Sequence, residues 1–376
     1  MTNTFSERTH AARMRRAARD AAAVGLSGLL LTPGPDLSWL SGHRPPVPGE
    51  EEPANPLTLL VLTPDATPRL LVPARDHPAA LSSPAAGALR VSVWRDDQDP
   101  YAAAAALLLP HGHYGISDAT WSVHLLGLQE ALPLTTYRPL ATALPLLRAL
   151  KDEEETARLA AAAAAADAAY DDLLAVRFTG RREAELAADL TRLLRTHGHE
   201  RVDVAGVACG PHGAHPRHRP GERRIGPGDT VVLDLGGRRD GYASALTRTV
   251  RAGGPPADGV LEAHTSVRAA LRAAVGAVRP GVSGTEVERA ARAAAGHHAD
   301  ALRLRAHGIG VTRHEPPYLT GDPGRPRTLL AGMCLTLGAG LLLPGRFGVR
   351  VGEVVACTAD GVRRLGAAGD DLAPVA

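Results

Sequence analysis

Lysine is almost missing from this chain: Lys151 is the only one among 42 basic residues. With 40 glycines, 30 prolines and much alanine, that bias fits a GC-rich coding sequence better than phosphate recognition. The net charge is only +2 and the arginines are interspersed with Asp and Glu, so no basic stripe for nucleic acid is readable. Aromatic residues make up 3%, which leaves Leu, Val and Ala to build the cores. The three cysteines, Cys209, Cys334 and Cys357, are odd in number and lack CxxC spacing. Cys209 and Cys334 read as packed thiols, and a reduced, cytoplasmic setting is expected. No apolar run approaches the ~20 residues needed to span a bilayer, and the first residues lack a secretory apolar region. Neither nucleic acid nor membrane is expected as a partner.

What is present suffices for two cores. A chain of 376 residues is long enough for two domains, and 44% hydrophobic with 22% charged residues is ordinary for a globular protein. Residues 1–150 read as an α/β unit: helix 9–24, strand Leu29–Leu31, a turn at Leu37–Gly42 and a loop over 44–56. A strand pair Leu57–Leu62 and Arg69–Val72, helix 100–109, strand 113–117, helix 121–131 and a final helix to Ala149 follow. A boundary near 150 then opens a second domain, 151–376, with a long helix behind Asp152. There Asp152 is a fair N-cap, and Glu153, Glu154 and Glu155 suit the positive helix end on a solvated face. Helices over 182–197, 257–278 and 283–300, mixed irregularly with strands, predict an α+β fold; Ser283 and Glu286 form a capping-box signature.

Four stretches carry chemistry. Arg305-Ala306-His307-Gly308-Ile309-Gly310-Val311-Thr312-Arg313-His314-Glu315-Pro316-Pro317 places two imidazoles seven residues apart, with glycines between them. The prolines discourage a central strand there. Gly210 to Pro220 is a loop holding His212, His215 and His218. Gly228 to Gly236 is a buried-type strand interrupted by Asp234, whose carboxylate must be paired, hydrogen-bonded or metal-bound. Gly241 to Thr249 is its hairpin partner.

In order and spacing these stretches resemble the aminopeptidase P, prolidase and creatinase superfamily. The resemblance also takes in Leu37–Gly42, the helix after Lys151, Gly332-Met333 and Gly348-Val349-Arg350. It implies a creatinase N-terminal-like α/β domain over 1–150, then a pita-bread domain over 151–376, and a homodimer. Peptidases of this superfamily hold two divalent metals with two Asp, one His and two Glu. Carried over residue by residue, those positions fall on Asp234, Ala245, His307, Gly338 and Gly352. Glu353 reaches the last position only by a one-residue strand slip, which would turn every side chain to the other face. One remaining carboxylate leaves most of the charge of two ions uncompensated. Asp234 and His307 alone fall short of the three protein ligands of a catalytic zinc. The expectation is therefore no metal cofactor, dinuclear or mononuclear.

The resemblance places a substrate-contacting His where Arg217 stands, twelve residues before Asp229. An arginine there, with the glutamates gone, predicts an enlarged and less acidic pocket for a neutral or anionic small molecule. Creatinase offers a precedent for metal-free C–N hydrolysis by histidine chemistry. The expected activity is thus metal-independent cleavage of a C–N bond, by hydrolysis or elimination. His314 serves as general acid/base, His307 as a second acid/base or hydrogen-bond donor, and Asp234 orients an imidazole. Arg217 anchors a substrate carboxylate, with His218, His212, Arg350 and Glu353 lining the pocket. Two alternatives stand beside it: a non-catalytic peptide- or protein-binding module, and an Xaa-Pro peptidase with an atypical mononuclear site.

Overall fold

The computed structural model describes residues 5–45, 56–320 and 328–376. The chain divides into two compact units, Met1–Arg148 and Ala149–Ala376.

The first unit is built on six strands: β1 (Gly28–Leu31), β2 (Leu59–Leu62), β3 (Arg69–Pro73), β4 (Arg90–Trp94), β5 (His113–Ile116) and β6 (Thr136–Pro139). They are ordered β4-β3-β2-β1-β5-β6. All four residues of the central β1 are buried, as its run of leucines requires. Helix α1 (Glu7–Ala23) starts at Ser6, whose side chain accepts the Thr9 N–H, and it buries Met14, Ala17 and Ala21. Two expectations need correction. The turn at Leu37–Gly42 is a helix, α2 (Pro35–Ser41): Pro35 pre-sets its first turn and Gly42, at φ 70°, ends it. The final helix to Ala149 is instead strand β6 and a single turn, α6 (Leu140–Ala143), because Pro139 and Pro145 bracket it. Short helices α3 (His77–Leu81), α4 (Pro100–Ala105) and α5 (Ser122–Ala131) complete the unit. Almost all of the expected 44–56 loop lies outside the described residues.

The second unit opens with α7 (Glu153–Leu174), where Asp152 and Glu155 form a capping box. Glu155 is buried and accepts the Tyr242 hydroxyl at 2.8 Å, so this part of the acidic run is not on a solvated face. Helix α8 (Glu183–Thr196) leads into β7 (Arg201–Cys209), β8 (Thr230–Arg239), β9 (Tyr242–Ala243) and β10 (Leu246–Ala252). Helices α9 (Val260–Ala277) and α10 (Gly284–Ala294) follow, the second capped by Ser283 and Glu286. The remaining strands are β11 (Arg303–Gly308), β12 (Glu315–Tyr318), β13 (Cys334–Leu343), β14 (Phe347–Thr358), β15 (Gly361–Arg364) and β16 (Pro374–Val375). The sheet runs β12-β11-β13-β14-β10-β8-β7, with β15, β16 and β9 paired off this path. Strand β12 carries Pro316 and Pro317 at the sheet edge, where a missing ladder donor is tolerated.

Alternation decides which face is core. Leu335, Leu337, Ala339 and Leu341 of β13 and Val349, Val351 and Val355 of β14 pack with Val267 and Leu271 of α9. Val207, Cys209, Val231, Leu233, Leu235 and Val250 pack with Tyr170 of α7 and Leu186 and Leu190 of α8. Each fully buried Leu or Val contributes about 1.5–3 kcal/mol. The intervening residues of the same strands point to the opposite face, and the candidate site is there.

Candidate active site

One register row crosses that open face. Gly206 of β7 pairs with Asp234 of β8, and Asp234 with Thr247 of β10. Thr247 in turn pairs with Gly352 of β14, Gly352 with Gly338 of β13, and Gly338 with Arg305 of β11. Residues directly paired across antiparallel strands share a face. The row therefore has a carboxylate near one end, a guanidinium at the other and almost no side chain between. Two residues along β11 and β14 add His307 and Arg350 to the same face.

Asp234 Oδ1 accepts hydrogen bonds from Thr247 Oγ1 at 3.3 Å and from the Arg313 guanidinium. The carboxylate in the apolar strand is thus held by an arginine of the His307–Pro317 stretch. His307 is buried, and its Nδ1 lies 3.0 Å from the Gly308 carbonyl oxygen. Nδ1 therefore carries the proton in the neutral ring, which leaves a lone pair on Nε2. His314 lies against it, ring centroids 4.2 Å apart. Burial lowers His307 to about 4, with His314, Arg313 and Arg305 adding to the effect against the Gly308 hydrogen bond. Burial also lowers His314, helped by Arg313 and Arg305 and opposed by Asp234. Both imidazoles are neutral at pH 7.

Arg350 brings an unsatisfied donor to the pocket. Among the described residues its buried Nε has no hydrogen-bond partner. Burial lowers its pKa, Asp234 opposes that, and Arg305 and Arg313 add to it. Gly340 makes room for the side chain, since a Cβ there would stand 2.8 Å from Arg350 Cγ. Behind the wall, Lys151 Nζ donates to Glu315 Oε1 at 2.6 Å, both side chains 1% exposed. A Cβ at Gly310 would stand 2.1 Å from that carboxylate oxygen.

The structure brings together Asp234, His307, His314 and Arg350, and it separates the other expected site residues from them. Arg217 is exposed on its loop. His212 and His218 turn instead to Glu183, at 3.0 and 2.7 Å. Glu353, one residue from Gly352, falls on the helix side of the sheet, where Arg364 pairs with it. The period-two alternation that made a strand slip implausible thus also removes Glu353 from the pocket. Arg305 and Arg313 went unassigned in the sequence; Arg305 was findable, because its spacing of two from His307 puts both on one strand face.

At the positions where the resemblance places metal ligands, only Asp234 and His307 carry donors, and Asp234 is engaged by Arg313. A Cβ at Gly338 would meet nothing closer than Val351 O at 3.6 Å, so the sheet keeps room where a ligand side chain would leave it. The residues present do not fit two divalent ions.

The family model Metallopeptidase family M24 matches residues 157–359, and the Creatinase/Prolidase N-terminal domain matches residues 13–150. The chain is 37% identical over 365 residues to the probable dipeptidase PepE of Mycobacterium tuberculosis, covering 95% of this chain and 94% of that one. It is 29% identical over 337 residues to an Xaa-Pro dipeptidase of Lactobacillus helveticus, covering 85% and 89%. The crystal structure of dipeptidase PepE from Mycobacterium ulcerans superposes with a TM-score of 0.89 at 34% identity, covering 99% of this chain and 100% of that one. The expected order, a creatinase-type N-terminal domain before a pita-bread domain, holds. The expectation of a chain without a metal cofactor does not: the matched family is one of metallopeptidases, and its relatives are named dipeptidases. Counting charges at five positions judged those positions alone, not the protein's need for a metal. With its helix-backed sheet, paired histidines and matches along both units, this chain belongs to metallopeptidase family M24 and carries the creatinase/prolidase N-terminal domain.

Proposed function

We propose that this chain is a dipeptidase that hydrolyses the amide bond of small substrates with a free carboxylate, Xaa-Pro dipeptides among them. The observation that carries the reading is Arg350, a half-buried arginine whose buried Nε has no hydrogen-bond partner among the described residues and which faces the same space as His307. An arginine in that state calls for an anion, and a carboxylate matches its fork. With the carboxylate on Arg350, the amide bond lies toward the imidazole pair. His314, neutral and at the exposed edge, accepts the proton of the attacking water. Arg305 and Arg313 bring positive charge to the developing oxyanion. His307, fixed through Gly308, holds the His314 ring in place. The names of the relatives support the substrate class.

The test is a dipeptide panel, including Xaa-Pro, assayed with and without added manganese. Turnover is expected, with Arg350→Ala raising KM about 10- to 100-fold and Arg350→Lys recovering part of the loss, as a bidentate carboxylate contact implies. His314→Ala should lower kcat about 10²- to 10⁴-fold, the range for losing a general base. No turnover of any dipeptide under either condition would end the reading. A second reading, a peptide-binding module, is favoured by the missing side chains at Ala245, Gly338 and Gly352. Its mark is dipeptide binding without turnover. A homodimer in a cytoplasmic setting completes the proposal; the three free, buried thiols support a reducing compartment, and light scattering on the purified protein tests the dimer.

A further inference from the structure

The histidine loop, which the pocket does not use, is assembled around a carboxylate distant in sequence. Glu183, the first residue of α8, is fully buried. Its Oε1 lies 3.0 Å from His212 Nδ1 and its Oε2 2.7 Å from His218 Nε2. The same carboxylate accepts the backbone N–H of Cys209 at 2.8 Å and of Gly221 at 3.2 Å. The rings of His212 and His218 lie with centroids 4.3 Å apart.

We propose that Glu183, His212 and His218 form a site for one divalent transition ion of the zinc type, separate from the pocket over Asp234. One donor atom from each of the three lies within 4.8 Å of the others. Tetrahedral zinc ligands at about 2.0–2.2 Å from the ion stand roughly 3.3–3.6 Å apart, so a shift of under about 1 Å admits the ion. Two imidazoles and a carboxylate suit zinc and its neighbours, whereas calcium and magnesium favour all-oxygen sites. The two backbone N–H groups fix the carboxylate from behind, as an outer shell does in metal sites. The side chains of His212 and His218 are 35% and 15% exposed, which leaves the solvent side for a water as fourth ligand.

The site lies apart from the candidate active site. Cys209 is three residues along β7 from Gly206, the partner of Asp234, roughly 10 Å at strand rise. The ion's role is to fasten the 210–218 loop to α8. That loop packs on β14, where a Cβ at Gly213 would stand 3.0 Å from Gly348 N, two residues before Arg350. The inference goes beyond the dipeptidase reading and fails or holds independently of it.

Full-length protein stripped with chelator and titrated with Zn²⁺ by calorimetry is expected to bind one equivalent here. Magnesium should not compete. His212→Ala and His218→Ala should each weaken this binding at least about tenfold, while Asp234→Asn leaves it unchanged. Both histidines are partly exposed, so these variants should keep the wild-type circular dichroism, and X-ray absorption at the zinc edge should report two imidazoles. No zinc retained by the wild-type chain, equal binding by the His212→Ala/His218→Ala double variant, or loss of the equivalent in Asp234→Asn would each overturn the proposal.

Discussion

A single buried histidine makes the stability of this protein depend on pH. His264 on α9 is 3% exposed with its Nε2 unpartnered among the described residues. Burial brings it to about 4, with Arg268 adding to the shift and Asp370 and Asp371 opposing it. In the unfolded chain the same ring takes a proton near 6.5. Its contribution to stability is therefore full above about pH 6.5 and is lost as the pH falls toward 4. Over that window it makes unfolding free energy fall by about 1.4 kcal/mol per pH unit. Denaturant titrations of wild type and His264→Gln between pH 4 and 7 should show the slope reduced by about one proton in the variant. An unchanged slope would mean that the native ring is already protonated. Nothing in the local sequence marks His264 as different from His297 or His298; burial alone separates them.

Elements, rather than residues, make the candidate site. Asp234, Thr247, Gly352, Gly338 and Arg305 are far apart in sequence and become one row only because five strands take one register. The β11–β12 connection adds His314 and Arg313, and its course depends on Gly310. A Cβ there would meet Glu315 Oε1 at 2.1 Å and Lys151 Cε at 3.0 Å, within a buried ion pair. Gly310→Ala is expected to destabilise by about 2–4 kcal/mol, since disturbing a buried charge pair is costly, and to impair dipeptide turnover through the displaced His314. Thermal unfolding with a kinetic assay checks both; wild-type stability would show that the pair relocates freely. The capping box at Ser283 is a smaller case, where Ser283→Ala should cost about 1 kcal/mol. Much at this scale was legible: the helix after Asp152, the capped α10, and Asp234 within its strand all follow from local chemistry. The helix at Pro35–Ser41 was less so, because a seven-residue segment between Gly34 and Gly42 reads equally as a turn.

At the scale of the molecule, the two units carry separate cores. One centres on Leu30, Leu59, Val61 and Tyr114; the others pack the helix-backed sheet of the second unit. The second unit also holds its own start, with Leu150 bridging to Met333 and Lys151 paired to Glu315. A fragment comprising 149–376 is therefore expected to fold alone, with cooperative thermal unfolding by circular dichroism. A molten, non-cooperative fragment would show that the second core is insufficient by itself. The proposed metal site belongs to this scale as well. Its donors come from outside the five motif positions, and Glu183 stands 29 and 35 residues from its histidines.

The sequence alone determined what depends on neighbours and order: the helices and their caps, the alternation of core and open residues, and the family, since its motifs run in sequence along the chain. It also named His307, His314, Asp234 and Arg350, because each stands inside a motif. Tertiary structure decided pairing. Asp234 goes to Arg313, Glu353 to Arg364, and His212 and His218 to Glu183, while the buried Nε of Arg350 keeps no hydrogen-bond partner among the described residues. Partners of a buried charge are chosen by proximity after folding, and proximity across strands is set by register, which no local stretch contains.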